Sequence, residues 1–440
     1  MKQNSHLYFL LSGLIFILTS CVRTEADLFD ESSALRLNHA VADSKELLLS
    51  ANNGWVMEYF PTNDSAGINF LIKFHQDEMA VVAAKNEYTP NYTESKGAWN
   101  VIGDTGPVLT FDTYIDVLHL FSDPNKGPEE NLGIGYGGDY EFIIMNISDN
   151  LIQLKSKKRG ITILMHRLDE NQDWQDYFKL LDEMNATLFH KYAPPLSLFV
   201  ADSLFILSNG ISHKFDVIPY EADTIVVSKE KLPFIVTSYG FRLIKPFNVG
   251  EVSVQTFTLS EDKTYLYTVE NQDARISNSV SSSSFFFDEK NWATNRAWVI
   301  DSLDLGGTFK TVYEQVVGGC STALNENFER FFFQYKSNRR SSTLSFQSKT
   351  RANRPSIYEG AFDFDISRNG SNDKEVVFTY KGKADDNGTF YKNKIGAFQQ
   401  FVDLISGDSF ALTTDRTLSL AKLKFTSVSN PDNYFALTIE

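Results

Sequence analysis

Ile68-Asn69-Phe70-Leu71-Ile72-Lys73-Phe74, written INFLIKF, decides the fold class of this chain. Ile68, Phe70, Ile72 and Phe74 alternate with Asn69, Leu71 and Lys73, the period of two that a half-buried β-strand requires because successive side chains point to opposite faces of a sheet. Similar short runs follow at Met79 to Ala84, Ala98 to Ile102, Val108 to Phe111, Tyr140 to Asn146, Leu151 to Leu154 and Ile161 to Met165. Short strands at close spacing, joined by turn residues, predict a small antiparallel barrel or sandwich. Ahead of them, Leu37, Val41, Ser44, Leu48 and Ala51 recur at helical spacing, and Asn52-Asn53-Gly54 stops the run. Behind them, Trp174, Phe178, Leu181, Met184 and Leu188 form one helical stripe, with Asn171 placed to cap its start and Pro194-Pro195 beyond its end.

From Leu196 to Val269 the period of two returns, with strands expected around Leu204, Phe215, Ile225, Phe234, Leu243 and Val254. The polar run ISNSVSSSS, ending at Ser284, reads as a loop or linker. From about Asn291 the chain is again mainly strands. A third helix is expected at Lys394 to Ser406, where Ile395, Phe398, Val402 and Ile405 share a face and Gly407 ends the run. The expected fold class is mainly β (α+β), with antiparallel barrel- or sandwich-like domains each flanked by a short helix. Residues 51–192 form one β-rich domain with a closing helix. Residues 193–440 form a second β-rich region, divisible into two subdomains at the serine-rich loop near 277–290. Helix followed by meander recurs, but no motif repeats at a fixed period, so the pattern is that of an ordinary α+β chain.

The 440 residues carry a formal charge of -15, which repels phosphates, so no nucleic-acid partner is expected. The densest basic group, Lys155, Lys157, Lys158 and Arg159, sits at what reads as a hairpin turn. At the N-terminus, Lys2 precedes an apolar run from Leu7 to Leu18, with small Thr19 and Ser20 directly before Cys21. That order predicts a secretory signal peptide over 1–20, since the run falls short of the roughly twenty residues that span a bilayer. Leu18-Thr19-Ser20-Cys21 resembles the bacterial lipobox. The resemblance implies that the Cys21 thiol accepts a diacylglycerol, that the leader is removed, and that the new terminus carries further acyl chains such as palmitate. Each buried methylene then adds about 0.8 kcal/mol of membrane attachment.

Residues 21–50 are thus expected to hold the acylated cysteine, a linker and a helix. Glu25, Asp27, Asp30 and Glu31 read either as a solvated acidic linker or as a tract like the one that sends Bacteroidota lipoproteins to the outer face of the outer membrane. With Cys21 lipidated, Cys320 stands alone and no intrachain disulfide can form, so packing must supply the stability. Cys320, after Gly318-Gly319, is expected to be a buried structural thiol, and reactive only if exposed.

The segment from Leu109 to Phe142 is the most distinctive chemically. It offers Asp112, Tyr114, His119, Asp123, Asp139 and Glu141 as candidate binding residues, with Asp116 among them and glycines around Gly133 to Gly138. Carboxylates near a histidine can bind a metal or share proton transfer. The competing reading is a long loop whose Asp side chains bond to backbone. Gly133, Gly135 and Gly138 match GxGxxG in letters only, because a dinucleotide loop follows a strand and opens a helix, whereas here a strand follows. Asp365, Asn369 and Asp373 have the spacing of half a calcium loop, but Val376 stands where a bidentate glutamate would complete it. An Asn-Gly hairpin turn is the better reading, as it is for Asp385-Asp386-Asn387-Gly388. HExxH, HxxxH, GxSxG and CxxC are absent from the sequence, so no catalytic residue is assigned and calcium is the one cofactor considered. Phe285-Phe286-Phe287 and Phe331-Phe332-Phe333, read as strands, place rings on both faces and imply burial between layers or an apolar surface.

The Leu18 to Cys21 lipobox, Asn53-Gly54-Trp55, the TFDTY and FSDP words between Thr110 and Pro124, and GGDYEF at Gly137 to Phe142 together resemble a family of Bacteroidota outer-membrane lipoproteins of unknown function. Members look like accessory partners of SusC/SusD-like TonB-dependent uptake systems. The resemblance implies a lipid-anchored protein at the outer membrane, facing the exterior, that captures or presents a nutrient to a transporter. The competing class is a surface-anchored hydrolase or metal-dependent enzyme using Asp112, His119, Asp139 and Glu141, which requires those side chains to converge in one cleft.

Overall fold

The structure is a computed structural model and describes residues 31–127, 133–221, 224–225, 231–271, 274–336, 338, 340–370, 372–414 and 418–440. The expected signal peptide and Cys21 lie outside the described residues. The chain is mainly β, built from three closed antiparallel sheets in series.

The first sheet runs β1 (Trp55–Tyr59), β2 (Ile68–Phe74), β3 (Met79–Asn86), β4 (Thr89–Gly103), β5 (Pro107–Phe111), β6 (Glu141–Ile147), β7 (Leu151–Ser156) and β8 (Thr162–Arg167), each pairing with the next, and β8 pairs back to β1. INFLIKF is β2. Ile68, Phe70, Ile72 and Phe74 enter the barrel core, where Trp55, Trp99, Phe111 and Phe142 join them. Leu71, on the outward face, is buried as well, because helix α3 packs over it together with Val56 and Ala83. Helix α1 (Ser33–Leu49) precedes the barrel and adds Leu48 to its core, and the Leu48 carbonyl accepts the Trp55 indole N–H at 3.0 Å. A short helix, α2 (Asp116–His119), lies between β5 and β6.

Helix α3 (Trp174–Leu188) starts at Asp173, not Asn171: the Asp173 carboxylate accepts the N–H groups of Gln175 and Asp176 at 2.9 and 3.0 Å. Its first turns lay Tyr177, Phe178 and Leu181 on the outside of the first barrel, and its last residue, Leu188, enters the core of the second. This one helix therefore ties the two barrels together.

The second sheet comprises β9 (Leu196–Val200), β10 (Ser203–Ser208), β11 (Lys214–Glu221), β12 (Thr224–Ile225), β13 (Lys231–Thr237), β14 (Gly240–Val249), β15 (Val252–Leu259), β16 (Leu266–Thr268) and β17 (Arg275–Asn278). Pairing between β10 and β11 closes eight of these strands into a ring, with β12 appended to β11. Phe215 and Phe234 stack in its core, their ring centroids 4.5 Å apart.

The serine run then becomes helix α4 (Ser282–Phe286), in which the Ser281 hydroxyl caps the Ser284 N–H at 3.1 Å. Phe285 and Phe286 are therefore helical, not part of a strand, and both are buried. The third sheet closes over β18 (Trp298–Gly306), β19 (Glu326–Lys336), β20 (Ser341–Thr350), β21 (Ile357–Asn369), β22 (Asn372–Ala384), β23 (Ser409–Thr413), β24 (Lys422–Ser427) and β25 (Tyr434–Ile439). Phe331 and Phe333 of β19 face its core, and Phe332 is buried on the opposite face.

Besides α4, whose Phe285 and Phe286 enter this core, three further helices pack with the third sheet, more than the sequence suggested. Helix α5 (Gly307–Leu324) occupies a stretch expected to be strand-rich, and buries Phe309, Val312, Tyr313, Val316 and Cys320. Helix α6 (Asp386–Lys394) replaces the expected hairpin turn: Asp385 caps it by accepting the Gly388 N–H at 2.7 Å. Helix α7 (Ala397–Ser406) is the expected third helix, starting later than predicted, and its Phe401 stacks on Phe331 at 4.5 Å. Cys320 is buried, and burial pushes its thiol up to about 12, so the group is a packed, protonated thiol.

Candidate functional site

The sequence-derived candidates lie in the long connection between β5 and β6, and the structure divides them into two groups. Around α2, the His119 ring is buried between the rings of Tyr114 and Tyr140, with centroids 5.2 and 5.1 Å away. Its Nδ1 accepts the Ile115 N–H at 2.9 Å. Burial holds this imidazole below the usual histidine range, against the opposing pull of bonds to the backbone of Ile115 and Phe111. The Tyr114 hydroxyl donates to Asp123 Oδ2 at 3.0 Å, and Asp123 Oδ1 accepts the Asn125 N–H at 2.9 Å. Asp112 accepts the Thr110 hydroxyl at 3.0 Å.

The second group faces the β7–β8 turn. Buried Asp139 accepts the N–H groups of Tyr140 and Glu141 at 2.9 and 3.2 Å on Oδ1, and of Lys158 at 2.6 Å on Oδ2. Glu141 lies 3.4 Å from Lys157, which also pairs with Asp104 at 3.1 Å. Asp112, His119, Asp139 and Glu141 thus hold turns in place and share no common atom. Among the described residues no group of three His, Cys, Asp or Glu could hold a metal ion. Asp365 pairs with Lys381 at 2.7 Å and Asn369 donates to Glu375 at 2.6 Å, while the Asp373 side chain lies outside the description. The β21–β22 pairing continues to Asn369 and Asn372, as a hairpin requires.

Asp139→Asn is expected to lower unfolding stability by roughly 2 kcal/mol, because it replaces one carboxylate oxygen with a donor facing the Lys158 N–H. Urea unfolding monitored by tryptophan fluorescence measures this. A change within a few tenths of a kcal/mol would show that the turn does not depend on the carboxylate.

The structure instead points to the seam between the first and second barrels, which the sequence did not reveal. Glu58 of β1 and Arg242 of β14 are both nearly inaccessible, at 2% and 3% exposure, and Arg242 Nε donates to Glu58 Oε2. His166 Nε2 approaches Glu58 Oε1 at 3.3 Å without the alignment of a hydrogen bond. Burial alone would raise the Glu58 carboxyl, but His166 and Arg242 outweigh it and hold the group below the ordinary carboxylate range. Phe60, Ile161, Ile235 and Ile244 close the apolar part of the seam. At Gly67 the N–H donates to the Phe234 carbonyl at 3.0 Å, and an added Cβ would overlap Ile235, so only glycine admits this approach.

Two clefts open on either side of α3. The smaller, about 260 Å³, is lined by Val56, Glu58, His166, Tyr177, Thr237 and Tyr239 among others. Thr237 Oγ1, and Nη2 of nearby Arg242, have no hydrogen-bond partner among the described residues. The larger, about 460 Å³, is lined by Asn69, Asn86, Asp182, Asn185, Ser212 and His213 among others. There Asn69 Nδ2 crosses the seam to the Val236 carbonyl at 2.8 Å, leaving its Oδ1 unpartnered. Asn86 Oδ1 accepts the N–H groups of Tyr88 and Thr89, each at 2.9 Å, leaving its Nδ2 unpartnered. Buried polar groups in this state cost about 1–3 kcal/mol each, and because these atoms are themselves inaccessible they face the packed seam and not the open space of the clefts. His213 lies at the cleft wall, its Nε2 2.8 Å from Asn185 Oδ1, and burial pushes its imidazole down to about 4.

The local signal for this site is a lone charge inside an apolar strand, Glu58 in WVMEY and Arg242 in GFRLI. The pairing itself joins residues 184 positions apart and is invisible to any short-range pattern.

Fold and seam together describe a β-rich chain of closed sheets with polar clefts between the first two. Residues 25–261 match a domain of unknown function (DUF4302), more than half of the chain, and the protein belongs to that family. The match covers the first barrel and the second through β15, so it includes every seam residue named above. No curated protein matches the chain. Among solved structures, the DNA polymerase III beta chain of Streptococcus pneumoniae aligns over 92% of this chain and 97% of its own at 9% identity, with a TM-score of 0.14. A DNA polymerase sliding clamp from Pseudomonas aeruginosa aligns over 91% and 97% at 8% identity and a TM-score of 0.14. A DUF3598-family protein of unknown function from Nostoc punctiforme aligns over 53% and 96% at 6% identity and a TM-score of 0.14. Similarity at this level carries no argument about fold or function.

Proposed function

We propose that this is a lipid-anchored binding protein at the outer face of the outer membrane, capturing or presenting a nutrient to a SusC/SusD-like uptake system, with the ligand held in the seam between the first two barrels. The observation that carries the binding role is the pair of clefts flanking α3, lined by polar and aromatic side chains of that helix and of both barrels, Tyr177, Tyr239, Asn185 and Ser212 among them. The barrel cores themselves are filled with aromatic and aliphatic side chains, so binding falls to surfaces between and around them. The anchor rests on Leu18-Thr19-Ser20-Cys21 and the acidic residues after it, and the uptake partner on the resemblance those words share with Bacteroidota lipoproteins.

Fractionation and affinity purification from native cells test this directly. The intact protein is expected to sediment with outer membranes, to carry an acylated Cys21 by mass spectrometry, and to co-purify with a TonB-dependent transporter component. Cys21→Ala is expected to move nearly all of the protein out of the membrane fraction. An unlipidated terminus on the native protein, or recovery of no transporter component, overturns the reading.

A further inference from the structure

We infer that the end of the first barrel capped by α1 is a lipid-contacting surface, its exposed apolar rim set into the interface of the bilayer. This rests on the reading of Cys21 as acylated and says how the folded body meets the membrane. The first argument is topological. Antiparallel pairing puts the β2–β3, β4–β5 and β6–β7 turns, together with α1, at one end of the barrel, and the β1–β2, β3–β4 and β7–β8 connections at the other. The second barrel docks against that other end, through Phe60, Gly67 and Ile161. The α1 end faces away from this contact.

The chemistry of the two ends is the second argument. At the α1 end, Leu35, Met79, Ile102, Met145, Ile147 and Leu151 are each 36–51% exposed, and none carries a hydrogen-bonding group that water could reward. At the far end, Tyr88, Tyr114 and Tyr140 are exposed beside Ile134, and a tyrosine hydroxyl suits a surface that stays wet. Aliphatic side chains gathered at one end of a barrel mark a surface that is covered in use. Two carboxylates on that rim, Glu78 and Asp104, are paired with Lys45 and Lys157 at 2.9 and 3.1 Å, so they do not stand as bare charges against lipid headgroups.

Reach is the third argument and the one that names the occupant. Helix α1 begins beside the β4–β5 turn, since a Cβ added at Gly103 would meet Leu37 at 3.2 Å. The Ser32 hydroxyl caps that start by accepting the Leu35 N–H at 3.3 Å. Ten residues lead from Cys21 to Glu31, and a chain of that length spans at most about 35 Å. Acyl chains on Cys21 therefore hold the α1 end within that distance of the bilayer, with the far end and the second barrel further out. The surface that the tether brings to the membrane is the one bearing the aliphatic rim.

The experiment uses the full acylated protein, purified from membranes and reconstituted into vesicles of phosphatidylethanolamine and phosphatidylglycerol. Cys320 is buried and its thiol protonated, so a single added cysteine takes a nitroxide label without competition from it. Ile102→Cys and Ile147→Cys place the label on the rim, and Tyr114→Cys places it at the far end. Collision rates with oxygen and with a water-soluble nickel chelate are then measured by electron paramagnetic resonance. The two rim labels are expected to meet the chelate about fivefold less often than the far-end label, and oxygen more often, as immersion in an interface requires. Met145→Glu with Leu151→Glu, added to the Ile147→Cys protein, is expected to bring its chelate access up to that of the far-end label while the acyl chains keep the protein on the vesicles. Should that variant fail to fold, Leu35→Glu with an intact melting profile, added to the Ile102→Cys protein, serves in its place with the same expectation. Rim labels as open to the chelate as the far-end label overturn the inference, and so does protection that survives in the folded charged variant. Mass spectrometry of Cys21 is read separately. An acylated, vesicle-bound protein whose rim stays in water defeats this inference alone, whereas an unacylated Cys21 defeats the anchor and this inference with it.

Discussion

Arg242→Met destabilises the chain by about 3–5 kcal/mol at neutral pH, because it leaves Glu58 ionised and buried with no guanidinium beside it. Glu58 is 2% exposed, and its remaining neighbour, His166, is not aligned to donate to it. In the intact protein the folded-state pKa of Glu58 is depressed, so its contribution is present above the ordinary carboxylate pKa and is lost as pH falls through the depressed value. Without Arg242, His166 alone opposes burial, so the depression is smaller and the variant loses less stability than the intact protein as pH falls. Glu58→Gln with Arg242→Met is expected to recover most of the loss, since replacing a whole buried pair by neutral groups of similar volume is often neutral or stabilising. Urea unfolding of the two single variants and the double variant forms the cycle. If Arg242→Met costs under about 1 kcal/mol, the pair does not fasten the seam.

Most of the strands were legible because burial on one face imposes a period of two, and INFLIKF keeps that period without interruption. Leu71 departs from the polar outward face of that strand. An apolar residue on the outward face announces a covering element, and that element is α3. Misreadings cluster where a local pattern serves two structures. Asp385-Asp386-Asn387-Gly388 has the residues of a hairpin turn and also those of a helix start, and only the docking of α6 against β21, with the Ala361 N–H donating to Asp385 at 2.9 Å, separates them. The serine run behaves likewise: it lies between the second and third sheets, as a linker would, and there it also caps α4. In α5 the apolar stripe at Phe309, Val312, Tyr313, Val316 and Cys320 keeps helical spacing, but Gly318-Gly319 reads as a break. Gly319 is there for packing, since an added Cβ would overlap Ile395 beside α7.

The candidate site divides the same way. Tyr114, His119 and Asp123 do come together, but they form a ring stack around the buried histidine and a capped turn. Carboxylates near a histidine in sequence say nothing about which backbone N–H groups will claim them. In Asp139 the claim is complete, with both oxygens accepting from the main chain. The seam residues are the reverse case. Each is unremarkable in its own strand and acquires meaning only when two barrels close on it, a long-range event that no window of sequence contains.

His213 makes the seam sensitive to acid in a window that the carboxylates do not cover. Its half-buried imidazole packs against Phe189 and Phe234, with ring centroids 6.2 and 5.3 Å away, and the loss of water there pushes it from 6.5 down to about 4. Below pH 6.5 the unfolded chain takes up a proton that the folded chain refuses. Stability from this group is therefore complete above about 6.5, falls as pH drops toward 4, and is level below that. At about 1.36 kcal/mol for each pH unit, a drop from 6.5 to about 4 amounts to roughly 3 kcal/mol. Glu58 acts lower, since its depressed pKa places its loss beneath the ordinary carboxylate value of 4.5. Asp182 and Glu87, the carboxylates lining the same cleft, are exposed. His213 has a positive φ of 53°, so asparagine, which tolerates that region, is the replacement that tests the charge without straining the backbone. Unfolding free energy measured at intervals from pH 7 to 4 is expected to fall steeply in the natural protein and much less in His213→Asn. Equal slopes between pH 6.5 and 4.5 in the two proteins would mean that His213 takes up its proton in the folded state as readily as in the unfolded one, and the acid sensitivity would then belong to other groups.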